Sequence, residues 1–462
     1  MAPKFGTSGL RGLVSELTDT LCANYTRAFL NRARHDGVLL VGADLRPSSR
    51  AHLRAVAAGA RAAGLEVVDC GTLPTPALAL EAQHRRAPAV MVTGSHIPAD
   101  RNGLKFYRRN GEITKGDEAA INAALRDWNG PLDLTDPPTD AGVAARYAER
   151  YTGFFAADAL GGLRVGLYEH SAVGRDLLGQ VLKALGAKVV PLGRSDHFIP
   201  VDTEAVDDDT RARLHGWAGE HQLDAIVSMD GDSDRPLITD ATGRVVPGDV
   251  IGALTAQFLG ARIIVTPVSS NTMIDSMGFD AILRTRIGSP FVIAEIETAL
   301  GDSAKARVVG YEANGGFLTG FPVEGPGGTL APLLTRDAFL PILCTLAGIV
   351  RNGALADQVA ALPARRTAAD RLVGLPSETS ARLIASLRQN RALRAELFAA
   401  LGEETHLNQT DGLRITFASG EVVHLRPSGN APELRCYGEA TTEDRARAIV
   451  RTTLDEVNRR YA

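Results

Sequence analysis

The sequence predicts an α/β fold of four domains, in which three similar units with mixed, mostly parallel sheets precede a C-terminal α+β domain. The first reason is length: 462 residues exceed the roughly 250 to 300 residues at which a single core stops growing. The second is pattern, because short apolar runs alternate with amphipathic segments, as in parallel sheets covered by helices. We expect the domains to span residues 1–138, 139–246, 247–360 and 361–462.

The first unit begins with alternating strand and helix signals. "GVLLVGAD", "LEVVDCG" and "PAVMVTGS" are short apolar runs that predict buried strands, whereas "RAHLRAVAAGARAAG" has helical periodicity and ends at Gly64. The Pro- and Asp-rich residues 129–140 then indicate a domain boundary.

Two further units repeat this pattern, and the last segment departs from it. "LRVGLYEH" and "LDAIVSMDGDSDRP" frame the second unit, and "ARIIVTPVSSN", "FDAILRTRIG" and "ARVVGYEANGGF" the third. The similarity lies in pattern and not in identical residues, so a gene duplication is only suggested. In the fourth segment, "SARLIASLRQNRALRAELFAAL" predicts a helix, "DGLRITFASGEVVHLRPSGN" alternates as strands do, and "TEDRARAIVRTTLDEVNRRYA" predicts a final helix.

Composition excludes several classes of protein. Hydrophobic residues at 45% and charged residues at 23% are ordinary globular values, and a net charge of −4 gives no reason to expect nucleic acid or an anionic membrane as partner. The four cysteines form no CxxC pair, which favours a reducing compartment without structural zinc. Since we see neither an apolar leader nor a long apolar run, we expect a cytoplasmic protein.

The motif "DGDSDR" predicts a metal site. Asp230, Asp232 and Asp234 follow an apolar strand, and carboxylates this close repel one another unless a cation neutralises them. Oxygen ligands select Mg²⁺, Mn²⁺ or Ca²⁺. An EF-hand is excluded, because its sixth and twelfth positions hold Arg235 and Ala241 instead of Gly and Glu. The alternative is a solvated acidic turn.

A serine stands just past the end of another predicted strand. Ser95 lies where open α/β sheets bind their ligands, but Thr93 breaks the GxSxG pattern of α/β-hydrolases. His96 follows directly, and because neighbouring side chains of an extended chain point apart, we do not expect a Ser–His pair. Ser95 alone could equally be a turn or capping residue.

Three glycine-bearing loops supply polar groups. "RPSGNAPELR" offers two guanidinium groups, a hydroxyl and turn amides, which suit phosphate oxygens, although a solvated basic loop is the alternative. "KFGTSGLRG" contains Arg11, and "GYEANGGF" places Glu312 where it could accept sugar hydroxyls or lie in a surface turn. Each predicted domain thus contributes a polar loop, which indicates a shared central cleft and phosphoryl transfer on a polyol.

The loops "TGSHIPADRNGLK", "DGDSDR", "GYEANGG" and "RPSGNAPELR" resemble, in this order, those of the α-D-phosphohexomutases, and the resemblance covers the whole chain. It implies that a phosphoserine transfers its phosphoryl group to a hexose monophosphate. The implied catalytic residues are Ser95, His96, Lys105, Arg11 and Arg235. The implied metal ligands are Ser95, Asp230, Asp232 and Asp234. The implied substrate-binding residues are Glu312, Asn314, Arg426, Ser428, Gly429, Asn430 and Arg435.

Two positions depart from the family pattern. The sugar loop usually reads Gly-Glu-x-Ser-Gly-His, but Asn314 replaces the serine and Gly316 stands at the histidine, so no acid/base role of that histidine carries over. In the phosphate loop Asn430 replaces a threonine. Either change could alter substrate preference without altering the reaction.

The resemblance implies interconversion of hexose 6-phosphate and hexose 1-phosphate through an enzyme-bound hexose 1,6-bisphosphate, which also serves as activator, with Mg²⁺ as cofactor. Mannose phosphate is the expected substrate, and glucose phosphate a further one. The alternatives are a glucosamine-phosphate substrate and a catalytically silent sugar-phosphate binding protein. The expected partner is a phosphosugar, with no nucleic acid or membrane, and the chain is expected to be a monomer or homodimer.

Overall fold

The computed structural model describes residues 3–6, 9–128, 130–303, 305–427 and 433–461. It contains four main sheets, and all strands of each sheet fall within one of the four predicted segments. The fold is therefore the mixed α/β architecture that the sequence predicts, whereas the exact domain boundaries stay a prediction. Within the described residues, no helix combines the length and the apolar character needed to cross a membrane.

The first sheet has seven strands, in the order β1-β2-β6-β5-β3-β4, with β7 paired to β6. Its strands are β1 (Lys4–Phe5), β2 (Leu10–Leu13), β3 (Val38–Ala43), β4 (Glu66–Thr72), β5 (Ala89–Val92), β6 (Arg101–Arg108) and β7 (Gly111–Glu112). Its helices are α1 (Asp19–Leu30), α2 (Ser49–Ala62), α3 (Thr75–Arg85) and α4 (Lys115–Ala124). The three strands and the helix predicted here are confirmed to within a few residues.

Only one end of this first sheet, β5-β3-β4, is parallel. Strand β3 pairs in parallel with β4 and β5, whereas β6 pairs antiparallel with both β5 and β2. Strand β6 follows β5 after a short loop, which can reverse the chain but cannot make a parallel crossover. Antiparallel pairs therefore outnumber parallel ones in this sheet, and the short loop is the one that carries Ser95.

The second and third sheets repeat the arrangement, with three parallel strands at one end of each sheet. The second unit consists of α5 (Val143–Thr152), β8 (Arg164–Tyr168), α6 (Arg175–Ala184), β9 (Lys188–Leu192), α7 (Asp208–His221), β10 (Ala225–Met229), β11 (Pro236–Thr239) and β12 (Val245–Val246), in the sheet order β12-β11-β10-β8-β9. The third consists of α8 (Gly248–Phe258), β13 (Ile263–Pro267), β14 (Ala281–Thr285), α9 (Ser289–Asp302), β15 (Val308–Tyr311), β16 (Phe317–Thr319), the hairpin β17 (Val323–Glu324) and β18 (Thr329–Leu330), β19 (Leu333–Asp337), α10 (Phe339–Asn352) and α11 (Leu355–Ala360), in the order β14-β13-β15-β16-β19.

The fourth sheet is antiparallel throughout, in the order β20-β24-β23-β22-β21. Its elements are β20 (Arg366–Val373), α12 (Ser377–Gln389), α13 (Arg391–Leu397), β21 (Glu404–Asn408), β22 (Leu413–Phe417), β23 (Val422–Pro427), β24 (Glu433–Ala440) and α14 (Glu443–Tyr461). The stretch "SARLIASLRQNRALRAELFAAL" is helical as predicted, but it is divided into α12 and α13. Asn390 is extended, and its side chain accepts a hydrogen bond from Leu393 N at 3.0 Å, so it caps a second helix.

The buried apolar core is shared by the first three units and separate in the fourth. One cluster joins Met91, Val165 and Val309 from three different sheets. Another contains Leu413 and Ile449 and draws only on the C-terminal segment. Hydrogen bonds join the C-terminal unit to the rest, among them Arg244 Nη2 to Glu443 Oε2 at 2.9 Å and Ile287 N to Asp411 Oδ2 at 3.0 Å.

Candidate active site

Three of the loops named above follow the carboxyl ends of strands. The serine loop follows β5, the aspartate loop follows β10 and the Glu312 loop follows β15. The serine and aspartate loops meet directly, since Ser95 Oγ donates a hydrogen bond to Asp230 Oδ2 at 2.6 Å, and both residues are fully buried. Residues 135 positions apart in the chain thus form one site, at the sheet edge where α/β proteins bind ligands.

The serine loop is held by a buried arginine that the sequence reasoning overlooked. Arg46, 2% exposed, donates to the carbonyl oxygens of Ser95 at 2.9 Å and Pro98 at 2.7 Å, and also to those of Ile97 and Arg101. Its guanidinium leaves no room for a side chain at position 94, because a Cβ on Gly94 would lie 2.6 Å from Arg46 Cζ. Arg46 therefore shapes the loop that presents Ser95.

Ser95 itself has an unusual backbone conformation, with φ of +54°. This left-handed region is unfavourable for a residue with a Cβ and commonly marks a functional turn. It also turns the chain so that His96 Nδ1 lies 3.3 Å from Ser95 Oγ. The expectation that neighbouring side chains point apart was therefore wrong here, because it assumed an extended chain.

The three aspartates form a compact, buried cluster. Asp230, Asp232 and Asp234 are at most 1% exposed, and one oxygen of each lies within 4.8 Å of the others. Among the residues that the structure describes, none donates a hydrogen bond to the buried Asp232 Oδ1 or Asp234 Oδ1. A buried carboxylate oxygen without a partner is costly unless a cation binds it, so the donor set fits a hard divalent metal ion.

The other oxygens of these carboxylates are fixed by neighbouring groups. Asp232 Oδ2 accepts hydrogen bonds from Thr75 Oγ1 at 2.6 Å and from Lys105 Nζ at 2.5 Å. Lys105 Nζ also donates to Asp234 Oδ2 at 2.6 Å. The Oδ2 atoms of Asp232 and Asp234 are thereby oriented by protein groups. Their Oδ1 atoms accept no hydrogen bond within the described residues, although Arg235 Nε lies 3.6 Å from Asp234 Oδ1.

Burial and charge act differently on the three carboxyl groups. Burial and the negative charges of Asp232 and Asp234 raise the pKa of Asp230 well above its usual range. Burial would also raise the pKa of Asp232, but the Lys105 ammonium outweighs it and holds that pKa below its ordinary value. Arg336 and Lys105 likewise lower the pKa of Asp234 against the effect of burial. Of the three, Asp230, next to Ser95, is therefore the carboxyl group whose neutral form burial and the neighbouring carboxylates favour.

Basic side chains surround the serine on the opposite side. Arg235 Nη1 lies 2.9 Å from His96 Nδ1. Burial, Arg235 and Arg11 lower the pKa of His96 far below its ordinary value, which keeps the imidazole neutral. Burial, Arg235 and Arg336 lower the pKa of Arg11 to about 10. Mutually repelling guanidinium groups of this kind are relieved by an anion between them.

The Glu312 loop is organised by a second arginine that the sequence did not single out. Arg336, 2% exposed, lies in β19 next to its last residue, Asp337, and its Nη2 lies 2.9 Å from Asp234 Oδ2. Its Nη1 donates to Glu312 Oε2 at 3.4 Å. A Cβ on Gly316 would lie 2.6 Å from Arg336 Cδ. The arginine stem thus packs against the position at which the family has its histidine.

Asn314 is only partly available to a ligand. Its Oδ1 accepts a hydrogen bond from Gly316 N at 3.0 Å, and its carbonyl oxygen accepts one from Thr203 Oγ1 at 2.9 Å. Of the amide side chain, the Nδ2 group is the part that can turn toward a substrate.

The candidate phosphate loop lies between β23 and β24. Arg426 and Arg435 are direct cross-strand partners at its base, an arrangement that brings two like charges together. Arg426 Nε donates to Asp411 Oδ1 at 3.2 Å, and Asp411 Oδ2 accepts from Ile287 N of the third unit at 3.0 Å. Ser428, Gly429 and Asn430 lie outside the described residues.

Comparison with known proteins agrees with this architecture. Three family models match: phosphoglucomutase/phosphomannomutase alpha/beta/alpha domain I over residues 2–129, alpha/beta/alpha domain II over 145–243 and the C-terminal domain over 354–456. A phosphomannomutase from Sinorhizobium fredii is 43% identical, covering 99% of each chain, and one from Salmonella muenchen is 44% identical, covering 98% of this chain and 95% of the relative.

Other relatives are more distant. A phosphoglucosamine mutase from Thermobifida fusca is 29% identical, covering 99% of this chain and 98% of its own. Among solved structures, a putative phosphomannomutase from Thermus thermophilus superposes with a TM-score of 0.77 at 23% identity and covers 99% of each chain, which establishes similarity of fold. The chain therefore belongs to the phosphoglucomutase/phosphomannomutase family, the α-D-phosphohexomutases, whose members are isomerases.

Proposed function

We propose that the chain is a phosphomannomutase, which interconverts mannose 6-phosphate and mannose 1-phosphate through a phosphoserine at Ser95. The observation that carries the proposal is the buried contact of Ser95 Oγ with Asp230 at 2.6 Å, beside two carboxylate oxygens without partners. Two relatives above 40% identity, both phosphomannomutases, support the choice of sugar.

Asp230, Asp232 and Asp234 are proposed to hold Mg²⁺ together with the phosphoryl group on Ser95. Asp232 Oδ1 and Asp234 Oδ1, which accept no hydrogen bond within the described residues, supply metal ligands. Mg²⁺ prefers such oxygen ligands. Once bound, the ion neutralises negative charge on the transferring phosphoryl group. Lys105 keeps the carboxylates in place for it.

In the first half of the cycle, the bond between phosphorus and Ser95 Oγ breaks and a bond to the substrate hydroxyl oxygen forms. The net proton transfer runs from that hydroxyl to Ser95 Oγ. Arg11, Lys105 and Arg235 surround this path with positive charge, and Lys105 or a neighbouring basic residue assists the proton movement. His96, held neutral beside Ser95 Oγ, supplies a ring nitrogen at 3.3 Å. The product of the half-cycle is mannose 1,6-bisphosphate, and the second half returns the other phosphoryl group to Ser95.

The sugar must turn end for end between the two halves, so the non-reacting phosphate needs a clamp that accepts both orientations. Arg426 and Arg435 serve as this clamp, together with Ser428, Gly429 and Asn430 in the family pattern. Glu312 accepts sugar hydroxyls, and Arg336 fixes its carboxylate. Asn314 contributes its Nδ2 group to the same surface.

Bisphosphate that escapes leaves a dephosphorylated enzyme, so added hexose 1,6-bisphosphate is expected to act as activator. The phosphosugar is the only partner that this function requires, and glucose phosphate is a second candidate substrate. We further propose a cytoplasmic enzyme that acts as a monomer or homodimer.

The test is a parallel assay with Mg²⁺ and a trace of bisphosphate, offering mannose, glucose and glucosamine 1-phosphate at equal concentrations. The proposal predicts that mannose 1-phosphate has the highest kcat/KM. A preference for glucosamine phosphate would contradict the choice of sugar. Tight binding of all three without turnover would indicate a binding protein instead.

A further inference from the structure

A cavity of about 500 Å³ lies between the third and fourth units, apart from the serine, aspartate and sugar loops. Its walls come from the β13–β14 edge of one sheet and from strands β21 and β22 of the other. None of the residues assigned above to catalysis, metal binding or substrate binding is among its described lining. Its volume is within the range of about 300 to 1,000 Å³ that small-molecule sites occupy.

Three arginines line this cavity, and two of them are well paired. Arg365 Nε donates to Glu439 Oε1 at 2.6 Å and Nη2 to Gly420 O at 2.7 Å. Arg284 Nη2 donates to Asp275 Oδ1 at 2.9 Å, and its Nη1 to Ser270 O at 2.8 Å. These two side chains are thereby held with their remaining N–H groups available to the cavity.

The third, Arg414, is poorly compensated. Its side chain is 13% exposed, its nearest carboxylate, on Glu439, is 3.6 Å away, and its one hydrogen bond within the described residues is a long contact of 3.4 Å to Thr416. Burial lowers the pKa of Arg414, and the neighbouring Arg284 and Arg365 lower it further against the effects of Glu439 and Asp275. A guanidinium has five N–H donors, so most of its capacity is unused.

We propose that this cavity binds a small organic phosphate, with Arg414 and Arg284 binding the phosphate group and the rest of the cavity holding the organic part. Arginine forks match phosphate oxygens bidentately. Val268, Ile282 and Val422 offer an apolar surface, and the volume exceeds what a bare phosphate would fill. This proposal does not depend on the mutase function.

Because the cavity lies between two units, a ligand bound there would influence how the third and fourth units are arranged. The fourth unit has its own apolar core, and the cavity lies between that unit and the third. A ligand that bridges the two sheets favours the arrangement in which they are close, because binding energy is gained only there. It would thereby hold Arg426, which is on the strand next to β22, in position.

Calorimetric titration with three probes tests the site: inorganic phosphate, glycerol 3-phosphate and adenosine 5′-monophosphate. We expect at least one of the two esters to bind at one per chain and more tightly than inorganic phosphate. Arg414→Gln and Arg284→Gln should each weaken ester binding by about tenfold or more, the effect of losing one charge-assisted contact. Arg284→Gln decides the outcome if Arg414→Gln fails to fold.

Two control variants make the result specific. Arg391→Gln removes an arginine whose side chain is 73% exposed and should leave ester binding within about twofold of wild type. Arg426→Gln should lower binding in the active-site cleft and spare this site. The proposal is wrong if neither ester binds, if both cavity variants bind like wild type, if inorganic phosphate binds as tightly as the esters, or if Arg426→Gln alone abolishes binding. No readout involves turnover, so failure of the mutase proposal would be seen separately.

Discussion

Gly316→Ala should disable the enzyme although it adds a single methyl group. A Cβ at position 316 would lie 2.6 Å from Arg336 Cδ and 2.7 Å from Arg336 Cγ. These atoms belong to the middle of a side chain whose far end is fixed by Asp234 and Glu312. Arg336 therefore cannot move aside without losing those contacts. The φ of Gly316 is not in the left-handed region, so backbone strain adds nothing.

The expected magnitude has two parts. Overpacking of a well-filled site costs about 1 to 3 kcal/mol of folding free energy. Displacing the Arg336 guanidinium weakens charge-assisted bonds worth about 1.5 to 3 kcal/mol. If these orient Asp234 and Glu312 for the reaction, kcat/KM falls by about ten- to a hundredfold.

Urea unfolding and mutase kinetics would be measured side by side, with Gly216→Ala as matched control. A Cβ on Gly216 meets nothing within 4 Å inside helix α7, so this change should stabilise by about 0.5 to 1 kcal/mol and leave turnover unchanged. Arg336→Ala removes the obstructing atoms, so Gly316→Ala should cost clearly less stability in that background. Equal costs with and without Arg336, or wild-type kinetics of Gly316→Ala, would refute this reasoning.

Three further changes have expected outcomes. Asp232→Asn should fold, because its amide oxygen can still accept from Thr75 and Lys105, but should lose about a hundredfold or more in kcat; wild-type rates in Mg²⁺ would assign the aspartates to structure. Arg426→Ala should weaken binding of both the 1-phosphate and the 6-phosphate by about 1.5 to 3 kcal/mol in equilibrium titrations, and a loss confined to one isomer would exclude a shared clamp. Burial raises the pKa of Asp249 from 3.8 to about 6. The free energy of unfolding should therefore fall by about 3 kcal/mol as the pH rises from about 4 to 6, because the folded state holds this proton more tightly than the unfolded chain. Urea unfolding of Asp249→Asn should lack that fall, and identical pH profiles of the two proteins would contradict the raised pKa.

The sequence predicts those parts of the site whose functional residues lie close together in one short segment. "DGDSDR" places three carboxylates within five residues directly after a strand, so one short segment suffices to predict a metal site. Ser95 was ambiguous alone and became a candidate only alongside the other loops. Its contact with Asp230 depends on how two sheets meet, which no short stretch encodes.

The residues that the sequence did not reveal act through long-range geometry. Arg46 binds four carbonyl oxygens of a loop about fifty positions away, and nothing in its own neighbourhood, "GADLRPSS", indicates this role. Arg336 lies within strand β19. It therefore lacks the glycine-bearing loop, which is the signal by which the other site residues were found. Gly316 pointed to the missing histidine, but not to the side chain that packs against its position.

The sequence predicted the fold where hydrophobic periodicity was strong. It did not predict where a single polar residue divides a helical stretch. Strands β3, β4 and β5 of the first unit lie where apolar runs predict them. The C-terminal helical stretch is divided because the Asn390 side chain accepts a hydrogen bond from the first turn of a new helix. Hydrophobic periodicity does not reveal such side-chain capping.

The central claim is that Ser95 carries the transferred phosphoryl group, and intact mass combined with peptide fragmentation tests it most directly. Wild-type protein incubated with mannose 1,6-bisphosphate should gain one phosphoryl group located on Ser95, and subsequent addition of mannose 6-phosphate should remove it. Ser95→Ala, correctly folded by circular dichroism, should gain none and show no turnover. A phosphoryl group found on another residue, or near-normal turnover of Ser95→Ala, would contradict the phosphoserine mechanism.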